Sequence, residues 1–237
     1  MIYYFQRDYW NVPYPAKGYE KATVKSGGCG VVCASMVVKN LLGEAFPPEV
    51  SARFAIEKGA RVPGGTDMRK LSDALCDKFP MQCTTSNSLN DLLSYVKKGG
   101  IAIANVGGDR GSYKGVFSDG GHYVVVYGIA GKLLRIADPG LYASKYAKPY
   151  RSMVVVKGNE VQAAPDVLHK DAENRAPRYY LYTKEDKPMA EETPSVWAKE
   201  SWEKAVKAKI LDGTKPQEPL TREQLAVVLD RLKMLDK

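Results

Sequence analysis

The sequence predicts an α+β fold in which helices pack on an antiparallel sheet. Between residues 29 and 98, apolar residues recur at helical spacing. From residue 101 onward they come instead in short runs rich in β-branched and aromatic residues. The tight turn Ala130-Gly131-Lys132 joins two of those runs into a hairpin, which makes that part of the sheet antiparallel.

Taken in order, residues 1–20 are rich in Tyr, Trp and Pro without a helical period and read as an extended segment packed on the domain. The first helix runs from Cys29 to Leu42 and is closed by Gly43. Pro47-Pro48 opens a second helix that Gly59 stops near Lys58. Thr66 reads as the N-cap of a third helix carrying Met68, Leu71, Leu75 and Phe79. Ser88 with Asp91 resembles a capping box before Leu92-Leu93 and Tyr95-Val96, and Gly99-Gly100 ends that helix. The predicted strands are 101–105, 122–129, 133–137, 153–156 and 179–182. Residues 184–193 are charged and contain proline, as a linker would. They divide a domain over 1–183 from a helical hairpin over 194–237. In that hairpin Thr193 and Pro194 start one helix, with Trp202, Val206 and Ile210 on its apolar face. Thr221 and Gln224 cap a second helix, which presents Leu225, Val228, Leu229 and Leu232. So small a hairpin buries little alone, so it needs a further surface: the main domain, a second copy or a ligand.

With 237 residues, 44 % hydrophobic and 26 % charged, the chain is globular and can bury a substantial core. Its formal net charge of +8 favours anionic partners such as wall polymers, anionic membrane or nucleic acid. No basic run interleaved with aromatics points to nucleic acid. No segment has the apolar length of a membrane span, and residues 1–8 lack the basic-then-apolar pattern of a secretory signal. Synthesis in the cytoplasm is therefore expected. The four cysteines, Cys29, Cys33, Cys76 and Cys83, form no dense disulfide framework, and their spacings match no common zinc knuckle. No metal or other cofactor is expected.

Cys29 stands in Ser26-Gly27-Gly28-Cys29-Gly30, at the first turn of the first helix. There the unpaired N–H groups and the positive end of the macrodipole favour thiolate. A small buried cysteine is the plain alternative. A thiolate nucleophile needs a base, and the chain has two histidines. His122 opens a strand beside Gly120-Gly121, where substrate can reach it; His169 lies in a polar stretch and reads as solvated surface. In the hairpin, the start of one strand lies near the end of the next, so His122 and Asp138 meet at one edge of the sheet. Asp138 is then the group that orients the imidazole, with Asp119 as a weaker competitor. The backbone N–H of Cys29 is one donor for a developing oxyanion. Gln6 is a candidate second donor, although by residue type alone it reads as a surface glutamine.

The order Gln6-Arg7-Asp8-Tyr9-Trp10, Gly28-Cys29-Gly30, Gly64-Gly65-Thr66, Gly121-His122-Tyr123 and Asp138-Pro139-Gly140 resembles the bacteriocin-processing (double-glycine) cysteine peptidases and their papain-like relatives. The resemblance spans about residues 1–182. It implies a papain-like fold with Cys29 as nucleophile, His122 as base, Asp138 as orienter and Gln6 as oxyanion donor. One departure is the Tyr/Pro/Lys-rich insertion between Gln6 and Cys29. Trp197 to Ala226 resembles one S-layer-homology repeat, a module that binds anionic cell-wall polymers. It implies Arg222 and the Asp212-Gly213 turn as the place for an anion, and allows oligomerisation through the C-terminal helices. Together the resemblances imply a cysteine hydrolase of amide bonds in bacterial peptidoglycan, as in phage endolysins and autolysins, either an endopeptidase or a muramoyl-alanine amidase. Its partners would be peptidoglycan and wall polymer, and it would act at the cell wall. A peptidase acting on a protein or peptide, and an inactive wall-binding protein, are the alternatives.

Overall fold

The computed structural model describes residues 1–185, 194, 197–211 and 222–234, the last without the side chains of 222–224. They fall into two compact units, Met1–Glu185 and Asp186–Lys237.

The first unit is α+β, as the sequence predicts. A 3-10 turn, Gln6–Tyr9, and a one-turn helix α1, Val24–Gly27, precede the first long helix. That helix, α2, covers Cys29–Leu42 and ends at Gly43, whose φ of +81° suits glycine. Every residue from Gly30 to Val38 is buried, so α2 is apolar all round and is covered all round. Helix α3, Pro48–Glu57, starts with a proline in its first turn.

Helix α4, Met68–Lys78, is capped by Asp67, which accepts from the Lys70 N–H at 3.2 Å, rather than by Thr66 as expected. Thr66 is already committed. It belongs to a two-residue ladder of β1, Arg61–Val62, with β2, Gly65–Thr66, and its Oγ1 lies 2.8 Å from the Tyr14 hydroxyl. Helix α5, Leu89–Lys97, takes half of its expected capping box. Ser88 accepts from Asp91 N at 3.3 Å, but the Asp91 carboxylate turns to the Ser86 hydroxyl at 2.6 Å.

The sheet has seven strands, all neighbours antiparallel. They are β3 (Met81–Ser86), β4 (Ile101–Val106), β5 (His122–Ala130), β6 (Leu133–Ala137), β7 (Val154–Lys157), β8 (Glu160–Ala163) and β9 (Tyr179–Lys184), in the order β3-β9-β4-β5-β6-β8-β7. Strands β3 and β8 and the helix α6, Pro165–Asp171, lie where the sequence reads as polar connection. The predicted hairpin is β5–β6, with Val125 opposite Ala137. That register brings His122 and Asp138 to the same edge of the sheet.

Alternating residues of the central strands feed two cores. Ile101, Ile103 and Val125 meet Val31, Val32, Met36 and Val37 of α2 on one face. Ala102, Ala104, Val124 and Val126 meet Leu92, Val96 and Leu168 of α5 and α6 on the other. The insertion between Gln6 and Cys29 folds back on itself through bridges Pro13–Thr23 and Ala16–Tyr19. It buries Tyr14 completely, with the Arg61 guanidinium 4.4 Å from the ring centroid.

In the second unit, α7 spans Lys199–Lys207, beginning five residues after the Pro194 start that the sequence suggests. Its first helical bond runs from Trp202 N to Ala198 O. Trp202, Val206 and Ile210 are half-buried, as are Val228 and Leu229 of α8, Arg222–Arg231, whereas Leu225 and Leu232 are exposed. Arg231 ties the two helices by donating to the Ile210 carbonyl at 2.9 Å. Thr193, Asp212-Gly213-Thr214, Thr221 and the Gln224 side chain lie outside the described residues. Among the described residues no helix is long and apolar enough to cross a membrane.

A Cβ on Gly30 would sit 2.6 Å from Thr66 Cβ and 2.8 Å from its Oγ1. Gly30→Ala therefore loses more to overpacking than it gains in helix propensity, and is expected to cost about 1–3 kcal/mol. Chemical denaturation of the variant checks this; a stability at or above that of the parent would show that α2 and β2 are not in such close contact.

Candidate active site

Cys29 occupies the first position of α2, and the glycines around it have separate steric reasons. A Cβ at Gly28 would lie 2.7 Å from the Val24 carbonyl and 2.8 Å from its Cα, so α1 can run into α2 only through a residue without a side chain. Gly30 lets the first turn of α2 lie against β2. The chain thus turns sharply enough to place Cys29, half-buried, at the head of a helix.

Burial by itself would raise the Cys29 thiol. A hydrogen bond with the His122 ring, the charge of that ring, and backbone hydrogen bonds from Tyr123 and Gly30 outweigh it and hold the thiol below the ordinary cysteine value. The ring responds in the opposite sense. Burial and the Lys145 ammonium push its proton off, but bonding to Asp138 and to the thiol prevails, and His122 titrates above its ordinary value. The two shifts together favour the thiolate–imidazolium pair.

His122 and Asp138 are hydrogen-bonded as the hairpin register implies, with Nε2 to Oδ1 at 2.8 Å. Both are buried. Because Nε2 is taken by the carboxylate, Nδ1 is the ring nitrogen left for the thiol. Asp138 accepts three more bonds: Gly140 N–H to Oδ1 at 2.8 Å, and the Lys145 ammonium and Tyr146 hydroxyl to Oδ2 at 2.5 and 2.6 Å. Against the penalty of burial, Lys145 and His122 hold this carboxyl well below the usual carboxylate range. Lys145 and Tyr146 were invisible to sequence reasoning. They sit in a Lys/Tyr/Pro-rich loop with no period, which reads as solvated surface, and only the fold shows Lys145 to be 5 % exposed.

Gln6 bonds to the two segments that flank the site. Its backbone N–H donates to Pro139 O at 2.8 Å, next to Asp138, and its side-chain amide donates to Lys25 O at 2.9 Å, four residues before Cys29. The second N–H of that amide is left for a ligand. The insertion after Gln6 therefore leaves it tied to α1, the one-turn helix that leads into Cys29.

Asp119 is exposed and bonds elsewhere than the ring, accepting from Arg151, at 2.7 Å, Lys148 and Tyr150. His169 is not solvated surface. It is half-buried on α6, with Nδ1 2.8 Å from the Tyr179 hydroxyl and Nε2 2.8 Å from the Arg178 guanidinium, because the Tyr179 ring at the start of β9 stacks on it. Asp212 and the Arg222 side chain lie outside the described residues. An open pocket of about 470 Å³ borders the Asp138 loop, lined by Phe5, Arg7, Leu141, Tyr142, Tyr146 and Val156 among others. Among the described residues no three His, Cys, Asp or Glu side chains are grouped as metal ligands would be.

No family model matches the sequence, and no curated protein matches it. Among solved structures, the chain is similar to the peptidase domain of Streptococcus ComA, a bi-functional ABC transporter involved in a quorum sensing pathway. The identity is 16 %, over 65 % of this chain and 88 % of that chain, with a TM-score of 0.42. It is also similar to a protein of Bacillus anthracis described as a C39-like peptidase. There the identity is 12 %, over 77 % of this chain and 94 % of that chain, with a TM-score of 0.49.

Thiolate is the form that reacts with iodoacetamide. Burial and neighbouring carboxylates push the Cys76 thiol up to about 11, and burial and Cys76 push Cys83 up to about 12. Burial also raises Cys33 far above its ordinary value. At pH 7, alkylation mapped by mass spectrometry is expected to modify Cys29 at least about tenfold faster than the other three. Equal rates at all four would contradict an activated Cys29.

Proposed function

We propose that the chain is a cysteine peptidase that hydrolyses amide bonds of a peptide or protein substrate. The observation that carries this is the buried His122–Asp138 pair, Nε2 to Oδ1 at 2.8 Å, with the Cys29 thiol and the ring shifting each other's titration in opposite senses. Cys29 sulfur attacks the amide carbonyl, and the carbonyl π electrons move onto oxygen. The oxyanion lies against the Cys29 backbone N–H, which has no acceptor within the helix, and the free N–H of Gln6. The His122 imidazolium passes its proton to the departing amine as the C–N bond breaks. Neutral His122 then takes a proton from water as it attacks the thioester; the C–S bond breaks, the acid leaves, and the thiolate–imidazolium pair is restored. Asp138 keeps the ring in the tautomer and orientation that this exchange needs. The pocket beside the Asp138 loop has the volume for a side chain of such a substrate.

A second reading places the scissile bond in bacterial peptidoglycan, as endopeptidase or muramoyl-alanine amidase. The formal net charge of +8 and the likeness of residues 197–226 to a wall-binding repeat favour it. In this reading the second unit holds anionic wall polymer, with Arg222, at the start of α8, and the segment at Asp212 as the residues that receive the anion, and the enzyme works at the wall.

Both readings are tested by incubating the full chain with a peptide library and, separately, with purified peptidoglycan, and reading new termini by mass spectrometry. Cleavage of peptides alone supports the first reading and release of muropeptides the second. Cys29→Ala abolishes either activity; equal product from the variant, or none from the parent on both substrates, rejects the proposal. On whichever substrate is cut, Gln6→Ala is expected to lower kcat roughly a hundredfold, as loss of one oxyanion donor does. An unchanged kcat would remove Gln6 from that role.

A further inference from the structure

Oδ2 of Asp138 has two donors, and they differ in kind. Tyr146 brings a neutral hydroxyl at 2.6 Å, Lys145 an ammonium at 2.5 Å. Lys145 is almost as buried as the carboxylate itself, and its backbone carbonyl is held in turn by Arg151 at 3.2 Å. Burying an ammonium is costly, and an amide or hydroxyl would satisfy the same lone pair with less desolvation. What the ammonium adds is charge. A bare carboxylate against an imidazole holds the imidazolium proton firmly. A histidine that cannot release its proton donates poorly to a leaving amine and cannot serve as base in the next step.

We propose that Lys145 is a positioning residue of the site: its ammonium cancels the charge of Asp138, so the carboxylate orients the His122 ring while presenting it with no net charge. This rests on the pairing of Cys29 with His122 described above. The titratable and charged groups facing the ring are Cys29 from α2, Asp138 and Lys145. Cys33 from α2 and Tyr146 face the Asp138–Lys145 pair, Tyr123 of β5 faces Cys29, and Arg151 behind the loop is itself paired with Asp119. The electrostatic influence of Lys145 on the ring, which drives the proton off, has the sign the proposal requires.

The test is a charge cycle read by NMR. The chain has two histidines, so the His122 ring Hε1 signal is one of two, and His169→Gln identifies the other. The parent is the full chain carrying Cys29→Ser, which removes the coupled thiol. Lys145→Met is expected to raise the His122 titration midpoint by about one pH unit, and Asp138→Asn to lower it by a similar amount. Asp138→Asn with Lys145→Met restores a neutral pair and returns the midpoint to near the parent value. Tyr146→Phe removes a bond to the same oxygen but no charge, and leaves the midpoint in place. The proposal is overturned if Lys145→Met leaves the midpoint unmoved, if Tyr146→Phe moves it as far, or if the double variant stays with Asp138→Asn. Should Lys145→Met alone not fold, the double variant against Asp138→Asn decides by the same rule. Alkylation of Cys29 in the native chain is a separate reading. Its failure would sink the pairing with His122, whereas a flat charge cycle with normal alkylation would sink only the role of Lys145.

Discussion

A single carboxylate, that of Asp138, organises this molecule's working end. It is buried, and a buried anion survives only when its lone pairs are taken. Four donors take them: the His122 ring, the Gly140 N–H, the Lys145 ammonium and the Tyr146 hydroxyl. Those bonds fix the ring at the start of β5 and fold the loop after β6 back upon the sheet edge. Leaving any charged partner unpaired there is far more costly than breaking a surface ion pair. The geometry of the site and the conformation of its loop are therefore one constraint.

The opposite wall is set by sterics rather than charge. Two close approaches, Val24 on Gly28 and Thr66 on Gly30, seat the head of α2 where the ring can meet it. The rest of α2 is gripped by apolar residues on every side, so the sulfur stands on one of the most deeply buried elements of the fold. A reactive atom mounted on so stiff a support loses little orientation to motion, which is what near-attack chemistry requires.

Much of this was legible in the residues because it rested on local rules. The bounds of α2 follow from an apolar run between glycines, and the meeting of His122 with Asp138 follows from hairpin register. Where the sequence misled, a distant partner had intervened. Thr66 looks like a cap, but Tyr14, fifty-two residues away, claims its hydroxyl. His169 looks solvated, but β9 covers it. Lys145 looks like any surface lysine, and nothing local says that Asp138 lies above it. Strand β8 was missed because its polar residues are buried and bonded to neighbours, as Glu160 is to Arg135 at 2.7 Å and to Gln162; β3 was missed because it is an edge strand whose Gln82, Thr84 and Thr85 are exposed.

Gln6 has one further consequence. Its backbone is bonded to the segment after Asp138 and its side chain to the segment before Cys29. One residue thus ties the segment after Asp138 to the one that leads into Cys29. Whatever loosens residues 1–10 from that contact would let the thiolate and the imidazolium drift apart, with every acid–base group still in place.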